Sequence, residues 1–436
     1  MLGEKLTMIA YCDLAGLVRG RSVPAATFGD RLRAGVGWVP ANQAICCFGP
    51  LAEPNPWGSA GDRRLIPDPA TRVHVDLWDD ATPLDFVLSD ATHTDGAPWD
   101  ACPRTFLKQA IEELRAETGL RLMATLEHEF VLGGDVGGGP FTLAAQRAAE
   151  PFAGQVMAAL RAASADPEMI LPEYGSGQWE VLVRPAEGVT AADRAAIVRE
   201  VVREVARRNG RSATFSPLPD PDGIGNGVHV HLSLLDDDGR NALYDADRPG
   251  ALSDVGGAFA AGLLRHLPAL LAFTAPSGIS FLRLTPHHWS AGTAALGYRN
   301  RECAVRICPV AEIAGGDLSR QFNLEYRAMD STASPHLGLA MLVRAGVAGI
   351  RDRLETPELL DRDPAELEPD ELRAYGATPL PTSLDAALAA VADDELLRGW
   401  LPDELWDCYH SLKRAELAEV ADCSPAEACS RYAAVL

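Results

Sequence analysis

Polar and apolar residues alternate in several short segments in the middle of the chain, as they do along a β-strand that buries one face. In the clearest of these segments, Glu127 and Glu129 stand two positions apart between Leu126 and Phe130. Because successive side chains of a strand point to opposite faces, both carboxylates are expected on one face. Two carboxylates side by side repel each other unless cations or arginines lie between them, and hard divalent cations prefer oxygen ligands.

Further segments repeat this alternation. Glu173 and Glu180 bracket one of them, and His229 and His231 share one face of another predicted strand. Three more segments that are predicted as strands carry polar residues at alternate positions or directly beside them, namely Arg283, Arg301, Glu302, Arg306, Asn323, Glu325 and Arg327. The pattern therefore predicts carboxylates, imidazoles and arginines gathered on sheet faces of one larger domain.

The chain changes its pattern near residue 98. Before that point, short strand-like runs are separated by turns, which predicts a small, sheet-rich unit. From Arg104 onwards, apolar residues recur at helical spacing until Gly119 ends the first helix. Strands and helices then mix without regular βαβ units. We therefore predict an α+β fold with domains at 1–98 and 99–436.

Two helices carry specific predictions. Thr190 and Asp193 have the spacing of a capping box, which predicts a helix that begins there and runs to Asn209. The most apolar stretch of the chain, residues 255–279, is interrupted by charged residues and prolines. That stretch predicts a buried helix and not a membrane span.

Composition and charge narrow the function classes. Of the 436 residues, 47% are hydrophobic, which is enough for a large buried core. Asp and Glu outnumber Lys and Arg by 61 to 39, and the formal net charge of −22 argues against a nucleic-acid partner. The nine cysteines form no CxxC pair. No signal peptide precedes the first predicted strand, so a reduced, cytoplasmic protein is expected.

The predicted polar face fits a site that binds metal ions and anions together. Several carboxylates and one imidazole would hold two or three divalent ions, and arginines would neutralise a transferring phosphoryl group. Each residue alone has a plainer interpretation: Glu127 as a solvated surface residue, His231 as a half-buried core residue, Arg283 as a surface ion-pair partner. The metal-site hypothesis depends on the repetition of the pattern over separate segments. His128, on the opposite face, is interpreted as structural.

Taken in order, the motifs resemble those of the glutamine synthetase family, in the bacterial class that includes γ-glutamyl-amine ligases. The motifs are Asp13-x-x-Gly16-x-x-Arg19, Glu127-x-Glu129-Phe130, Glu173 to Glu180, His229-x-His231-x-Ser233, Arg283, Arg301, Arg306, Glu325-x-Arg327 and Lys413-Arg-x-Glu416. They cover nearly the whole chain. The resemblance implies an N-terminal β-grasp domain, a catalytic domain of antiparallel sheet and helices, and a ring-type homo-oligomer, expected to be a dodecamer, with active sites between neighbouring subunits.

The resemblance also implies ligands and roles. ATP would be the co-substrate, with Mg²⁺ or Mn²⁺ at two or three positions per site, and the partners would be glutamate and a small amine. The metal ligands would be Glu129, Glu173 and Glu180 nearer the substrate, and Glu127, His229 and Glu325 nearer the phosphates. The nucleotide contacts would be His231, Ser233, Arg301 and Arg306. The acid substrate would contact Gly225, Arg283 and Arg327, and the residues of the chemical step would be Arg301, Glu325 and Arg327.

Departures from the family pattern bear on the substrates. Trp289 stands six residues after Arg283, where ammonia-using members carry a glutamate, and the stretch 37–43 lacks the acid that helps those members bind ammonium. An ammonium ion needs negative partners and a base, whereas Trp289 would give an apolar or cation–π wall. We therefore predict an organic amine as the nucleophile. Ile224 stands where the family usually has an asparagine beside Gly225, so the identity of the acid substrate is affected. Because Arg283 and Arg327 are present, an α-amino dicarboxylate such as glutamate is still expected.

Two alternative functions stay open at this point. One is a glutamine synthetase proper that uses ammonia, and the other is a catalytically silent homologue that binds nucleotide and acts as a regulator. Acids and a histidine occupy all of the matched metal-ligand positions, which counts against silence because drift would remove some of them. The sequence does not distinguish among polyamines, ethanolamine, alkylamines and aromatic amines as nucleophiles.

Overall fold

The computed structural model describes residues 3–134, 137–285 and 291–436. The β-strands within these residues are β1 (Leu6–Cys12), β2 (Val18–Pro24), β3 (Val36–Trp38), β4 (Arg63–Pro67), β5 (Val73–Val75), β6 (Leu84–Thr92), β7 (Arg121–Leu132), β8 (Pro167–Pro172), β9 (Gln178–Val183), β10 (Ala186–Glu187), β11 (Ala213–Thr214), β12 (Val228–Leu235), β13 (Thr293–Tyr298), β14 (Cys303–Ile307), β15 (Leu324–Tyr326), β16 (Leu359–Leu360) and β17 (Thr378–Pro379). The α-helices are α1 (Arg31–Ala34), α2 (Pro103–Thr118), α3 (Leu143–Ala148), α4 (Phe152–Ala162), α5 (Val189–Arg208), α6 (Asp254–Thr274), α7 (Ser280–Arg283), α8 (Pro335–Arg351), α9 (Pro369–Ala374), α10 (Leu384–Asp393), α11 (Glu395–Gly399), α12 (Asp403–Glu419) and α13 (Pro425–Val435).

The N-terminal strands form one mixed sheet in the order β2-β1-β6-β4-β3, with β5 also paired to β6. The hairpin of β1 and β2 is antiparallel, whereas β6 pairs with β1 in parallel, so that Ala10 lies opposite Leu88. This arrangement is the predicted β-grasp. The hairpin turn at Gly16 has φ 77°, and a Cβ there would lie 2.8 Å from the backbone oxygen of Ala333. Glycine thus allows the hairpin turn to pack on the larger domain.

The second sheet carries the candidate site and runs in the order β16-β13-β14-β15-β12-β7-β9-β8. The strands from β14 to β8 are antiparallel to their neighbours, as predicted. At the other end, β13 pairs in parallel with both β14 and β16. The fold is therefore α+β, and its larger sheet is mixed at one edge. Helices α5, α2, α8 and α6 pack against one another and cover this sheet.

The strand predicted near 299–307 is shorter in the structure. β13 ends at Tyr298 and β14 begins at Cys303, and the residues between them form a turn with Arg299 at φ 57°. Because β13 and β14 are parallel, the chain must run back along the sheet before the second strand begins. This return uses the residues around Arg301, which the sequence pattern had assigned to a strand face.

The predicted capping box at Thr190 and Asp193 is wrong, although the predicted end of the helix is right. Helix α5 begins at Val189 after Gly188, whose φ is 60°, and Asn209 is its C-cap. The Asp193 carboxylate does not cap the helix, because it accepts hydrogen bonds from the Arg104 guanidinium and pairs with His336. Asp193 therefore pairs with Arg104 and His336 from other helices and does not form the capping bond at the start of α5 that its spacing from Thr190 suggested.

Helix α6 is the predicted buried helix. It is long and apolar enough, by length and composition, to cross a membrane, yet 78% of its apolar window is buried inside the protein. It crosses α8 at close range, since a Cβ on Gly262 would lie 2.1 Å from the backbone oxygen of Ala345. A Cβ on Gly349 would meet Ala258 equally closely. The two glycines therefore permit the contact that builds the helical layer.

A buried charge network joins the N-terminal sheet to the helices that cover the larger sheet. The Arg104 side chain donates to Asp68, Asp90 and Asp193 at 2.7–3.0 Å, and only 3% of Arg104 is exposed. Burial raises the pKa of Asp193, but the hydrogen bonds from His336 and Arg104 outweigh it and lower that pKa to about 2. Asp68 and Asp90 belong to the N-terminal sheet region, so this one guanidinium links that region to α5.

We expect Arg104→Ala to lower the free energy of unfolding by about 3–5 kcal/mol, because it removes two of the hydrogen bonds that hold the buried Asp193 carboxylate. Urea denaturation of the two proteins measures the difference. Arg240→Ala is the matched control: the Arg240 side chain is 76% exposed, and its loss should change stability by less than about 0.5 kcal/mol. Equal, small effects of both substitutions would show that the network contributes nothing.

Candidate active site

Strand register brings the predicted carboxylates and imidazoles into direct opposition. Strand β12 lies between β7 and β15 and places His229 opposite Glu127, and His231 opposite Glu325. On its other side, β7 places Glu129 opposite Glu180 of β9. The alternation read from the sequence is confirmed, since the residues of the opposite face are buried in the core. Leu126, Phe130 and Val230 are at most 1% exposed.

Three of these side chains form a compact group. Glu127, Glu180 and His229 each offer one ligand atom, and these atoms all lie within 4.8 Å of one another. His229 Nδ1 is 3.8 Å from Glu127 Oε2 and 3.7 Å from Glu325 Oε1. Oxygen and imidazole donors at this spacing fit a divalent cation such as Mg²⁺ or Mn²⁺. Within the compact group, two carboxylates accompany one imidazole, and a bound cation would offset their negative charge.

Glu129 and Glu173 lie at the edge of this group and are held by backbone amides. Glu129 accepts a hydrogen bond of 2.6 Å from the Gly227 amide, and Glu173 accepts one of 2.9 Å from the Tyr174 amide. Burial raises the pKa of Glu173, and the charge of Glu129 raises it further. The two carboxylates therefore interact electrostatically, although Glu129 lies on β7 and Glu173 lies in the turn after β8.

The pKa of Glu180 is strongly perturbed. Burial, followed by the charges of Glu127, Glu129 and Glu173, raises its pKa to about 10. Burial also raises the pKa of Glu127, but the neighbouring His231 and His229 outweigh burial and hold that pKa well below its usual range. The acids of the group thus differ in their affinity for protons, and Glu180 holds a proton when no cation is present.

We expect the metal-free protein to lose stability as the pH rises from about 5 to 9. The pKa of Glu180 is about 10 in the folded chain against 4.5 ordinarily. Between these values the folded chain keeps a proton that the unfolded chain has lost, so folding becomes less favourable as the pH increases. Thermal unfolding at three pH values in a chelator checks this. Glu180→Gln should flatten the dependence, and a wild-type protein that gains stability over this range would contradict it.

Two arginines close the group on the β14–β15 side. The Glu325 carboxylate is 2% exposed and accepts a hydrogen bond of 2.7 Å from Arg306 Nη1 and a further, short one from Arg327. Burial raises the pKa of Glu325, but Arg327, His231, His229 and Arg306 together lower it far below its usual range. Arg327 Nε also donates to the backbone oxygen of Arg301, whose own side chain is exposed on the turn. Of the four predicted arginines, Arg306 and Arg327 are therefore in the group, and Arg301 borders it.

Arg283 lies on a short helix, α7, and not on the strand that the sequence predicted. It is 3% exposed, and its Nη2 donates to the backbone oxygens of Ala328 and Met329 at 3.0 and 3.1 Å. It packs against Gly225, where a Cβ would lie 2.5 Å from Arg283 Cγ. The pair was predicted for one subsite, and the structure brings both residues together beside β15.

A large cavity opens on the other side of the group. Its volume is about 830 Å³, and its walls include Glu127, His231, Ser233, Cys308 and Asn323. His231 Nδ1 is 2.8 Å from Asn323 Oδ1, and Ser233 donates to the Phe322 carbonyl at 3.0 Å. A volume of this size fits a nucleotide. The two residues predicted to contact the nucleotide from β12 thus face the same space.

Two further residues of the site were missed, although the alternation contained both. Cys308 lies 3.5 Å from Glu325 Oε2 and has the same parity as Arg306 two positions earlier. Gln178 has the parity of Glu180, and its Nε2 donates 2.8 Å to the Gly225 carbonyl. Cys308 lies two positions after Arg306, and Gln178 lies two positions before Glu180. Continuing the alternation by two residues in each segment would therefore have identified both.

Two other predictions have different outcomes. His128 is structural, as interpreted: its ring packs edge-on against Phe215, its Nδ1 is 3.1 Å from the Leu126 carbonyl, and burial lowers its pKa to about 3. Trp289, the residue predicted to face the amine, lies outside the described residues. Its place in the site therefore stays a prediction from the sequence.

Comparison with known proteins decides the family. The sequence model of the glutamine synthetase N-terminal domain matches residues 4–99, and that of the glutamine synthetase catalytic domain matches residues 100–431. The chain belongs to the glutamine synthetase family. It is therefore an enzyme of the class that forms C–N bonds between glutamate and an amine or ammonia. Members of the glutamine synthetase family generally use ATP and a divalent metal ion, which agrees with the donor set and the cavity.

Relatives within the glutamine synthetase family are named for different nucleophiles. The γ-glutamylpolyamine synthetase GlnA3 of Streptomyces coelicolor is 35% identical over 426 residues, which are 95% of this chain and 90% of that protein. The glutamate–isopropylamine ligase of a Pseudomonas species is 27% identical, with 93% and 90% covered. The glutamine synthetase of Pyrococcus woesei is 28% identical, with 92% and 87% covered. Family membership alone therefore leaves the nucleophile open.

Solved structures of the glutamine synthetase family superpose on nearly the whole chain. A novel glutamine synthase homolog has a TM-score of 0.92 and 47% identity, with 100% of this chain and 99% of that chain covered. A GmaS–ADP complex has a TM-score of 0.81 and 28% identity, with 97% and 95% covered. The fold and the order of its elements are thus those of the family.

Proposed function

We propose that the enzyme joins glutamate to an organic amine, with ATP as co-substrate and an acyl phosphate as intermediate, and releases ADP and phosphate. The observation that carries the proposal is the convergence of Glu127, Glu180 and His229 within 4.8 Å. This group lies beside the arginines bonded to Glu325 and opens on the 830 Å³ cavity. Cation ligands, anion-binding groups and a nucleotide-sized space therefore adjoin one another.

The acids would hold two divalent ions. Glu127, His229 and Glu325 would bind one on the nucleotide side, and Glu129, Glu173 and Glu180 would bind another on the side of the acid substrate. When bound, such ions neutralise the repulsion between a carboxylate and the phosphate oxygens of ATP. The raised pKa of Glu180 means that its carboxylate must release a proton as the cation binds.

The arginines would act on the reacting groups. Arg283 and the backbone of Gly225 would hold the α-carboxylate and amino group of glutamate, which leaves the γ-carboxylate near Arg327. That carboxylate attacks the γ-phosphorus of ATP, a C–O–P linkage forms, and ADP leaves. Arg306 and Arg301 would neutralise the oxygens of the transferring phosphoryl group. The amine then attacks the carbonyl carbon, phosphate leaves, and the amine nitrogen loses a proton to give the amide.

Organic amines are favoured over ammonia by the residues on the amine side. Ammonium capture needs carboxylates, and the sequence has Trp289 and the acid-free stretch 37–43 at the positions where ammonia-using members have acids. The names of relatives agree in part, since a polyamine and isopropylamine are among the nucleophiles that they give. The alternative is glutamine synthesis from ammonia, which other relatives are named for.

A phosphate-release assay tests the proposed function. Purified enzyme with glutamate, ATP and Mg²⁺ is supplied in turn with ammonium, methylamine, longer alkylamines, putrescine and spermidine. We expect an organic amine to give a higher kcat/KM than ammonium. Faster turnover with ammonium would make the enzyme a glutamine synthetase, and no stimulation by any of these compounds would make it a silent homologue.

We further propose a ring-type homo-oligomer, with a dodecamer as the expected size. The support is the match to the family over both domains. Sedimentation velocity of the purified protein gives the mass directly. A monomer at assay concentration would contradict the proposed oligomer but would leave the proposed ligase reaction unaffected.

A further inference from the structure

Gln178 is a buried glutamine at the start of β9, and its side-chain amide makes three hydrogen bonds outside its own strand. Its Oε1 accepts one of 2.8 Å from the Gly175 amide, and its Nε2 donates to the Gly225 carbonyl at 2.8 Å and to Asn226 Oδ1 at 3.0 Å. Only 3% of Gln178 is exposed. A primary amide has two N–H groups, and both are used here, so these bonds fix the side chain in one orientation.

The first of these bonds leads to the turn before β9, which carries Glu173. Two backbone hydrogen bonds also close this turn. The Glu173 amide donates to the Gln178 carbonyl at 2.8 Å, and the Gln178 amide donates to the Gly175 carbonyl at 3.0 Å. Because these backbone bonds close the turn by themselves, the turn that carries Glu173 does not depend on the Gln178 side chain alone.

The other two bonds lead to the loop before β12. Asn226 in this loop is 1% exposed, and its Nδ2 donates to the Ser216 carbonyl at 2.8 Å. Gly225 lies against Arg283, the residue proposed to bind the α-carboxylate of glutamate, since a Cβ at Gly225 would lie 2.5 Å from Arg283 Cγ. The Gln178 side chain therefore connects β9 to the backbone of the proposed glutamate subsite.

The Gly225 carbonyl oxygen can accept two hydrogen bonds, and the bond from Gln178 uses one of its lone pairs. The second lone pair can accept a hydrogen bond from the α-ammonium group of a bound glutamate. Such a bond weakens when the acceptor points in the wrong direction. Arg283 recognises a carboxylate, which glutamate shares with glutarate, whereas the Gly225 carbonyl recognises the α-ammonium group that glutarate lacks.

On the basis of the proposed function, we propose that Gln178 is a positioning residue that directs the Gly225 carbonyl at the α-ammonium group of glutamate. Through Gly225, it selects an α-amino acid over a dicarboxylate without an amino group. Loss of its side-chain amide therefore weakens the binding of glutamate. The carboxylates that hold the cations and the arginines that act on the phosphoryl group remain in place.

Gln178→Met tests this role, because methionine has a similar length and no amide group. We expect KM for glutamate to rise by about 10- to 100-fold, while kcat stays within about threefold of wild type. The inhibition constant of glutarate, measured as a competitor of glutamate, and the dissociation constant of Mg²⁺ should each change by less than about threefold, because neither ligand needs the Gly225 carbonyl.

The matched control is Gln109→Met. Gln109 lies on α2, and its Nε2 donates to Asp100 at the surface of the protein. The same glutamine-to-methionine change is made there without any contact to the loop before β12. We expect the KM for glutamate, kcat, the inhibition constant of glutarate and the dissociation constant of Mg²⁺ to match wild type in this variant.

Gly175→Ala displaces the same amide without changing Gln178 itself. A Cβ at Gly175 would lie 2.7 Å from Gln178 Oε1, and the backbone at Gly175 is not in the left-handed region that favours glycine. We expect the alanine variant to raise KM for glutamate by about 3- to 30-fold and to leave the other three values within about threefold. This variant decides the question if Gln178→Met does not fold.

The outcomes separate the inference from the proposed function. If the variants raise the KM for glutamate and the inhibition constant of glutarate by the same factor, or weaken Mg²⁺ binding equally, Gln178 supports the whole pocket and the inference is wrong. An unchanged KM for glutamate also contradicts it. In each of these cases wild-type enzyme still joins glutamate to an amine, so the proposed function stands. If wild-type enzyme does not use glutamate with any nucleophile, the proposed function fails and the inference fails with it.

Discussion

Glu180→Gln is expected to lower kcat by about 1,000-fold or more and to weaken Mg²⁺ binding by a comparable factor. The Glu180 carboxylate is one of three ligand groups whose ligand atoms lie within 4.8 Å of one another. Glutamine keeps the size of the side chain but cannot supply the negative charge that a divalent ion requires. Calorimetric titration with Mg²⁺ and steady-state phosphate release measure the two effects separately.

The matched control for this variant is Glu187→Gln. Glu187 lies on the neighbouring strand β10, its side chain is 52% exposed, and its ion pair with Arg121 is at the surface. A surface pair of this kind contributes less than about 1 kcal/mol, so both measurements should match wild type. Glu180→Gln with unchanged Mg²⁺ affinity and turnover would show that the acid group does not bind the catalytic cation.

Arg327→Ala is expected to lower kcat by about 100- to 1,000-fold with little change in Mg²⁺ affinity. The Arg327 guanidinium is 3% exposed and is held by Glu325 and by the backbone oxygen of Arg301. It is thus preorganised to stabilise negative charge on the reacting carboxylate. Arg327→Lys should recover only part of the loss, because a lysine cannot keep both hydrogen bonds of the planar group.

Arg299→Ala provides the control for charge removal nearby. Arg299 lies on the turn before β14, and its side chain is 48% exposed. Its loss should leave kcat within about twofold of wild type, since surface substitutions rarely cost more than about 0.5 kcal/mol. Comparable losses in both variants would mean that general electrostatics, and not the position of Arg327, drives the effect.

The sequence predicted the parts of the site that strand periodicity determines. Glu127 and Glu129, or His229 and His231, share a face whatever the rest of the fold does, because side chains alternate along every strand. The opposition of His231 and Glu325 across two strands then follows from register, which the order of motifs did not give. The local pattern thus predicted which side chains share a face of one strand. The pairing of the strands in the sheet then determines which of these side chains lie opposite one another.

Features that depend on distant contacts could not be predicted in this way. Arg283 was expected on a strand, yet it lies on the helical turn α7, where packing against Gly225 and backbone oxygens decides its position. Asp193 was expected to cap a helix, yet it binds Arg104 from another element. The 830 Å³ cavity is lined by residues that range from Met123 to Asn323, so no short sequence window contains it.

The fate of isotopic oxygen tests the central claim most directly. Glutamate labelled with ¹⁸O in its γ-carboxylate is incubated with the enzyme, ATP, Mg²⁺ and the best amine, and the phosphate released is analysed by mass spectrometry. If the γ-carboxylate attacks ATP and the amine then displaces phosphate, one labelled oxygen passes into each phosphate, and its appearance requires the amine. Unlabelled phosphate, or label transfer that only ammonium supports, would contradict the account.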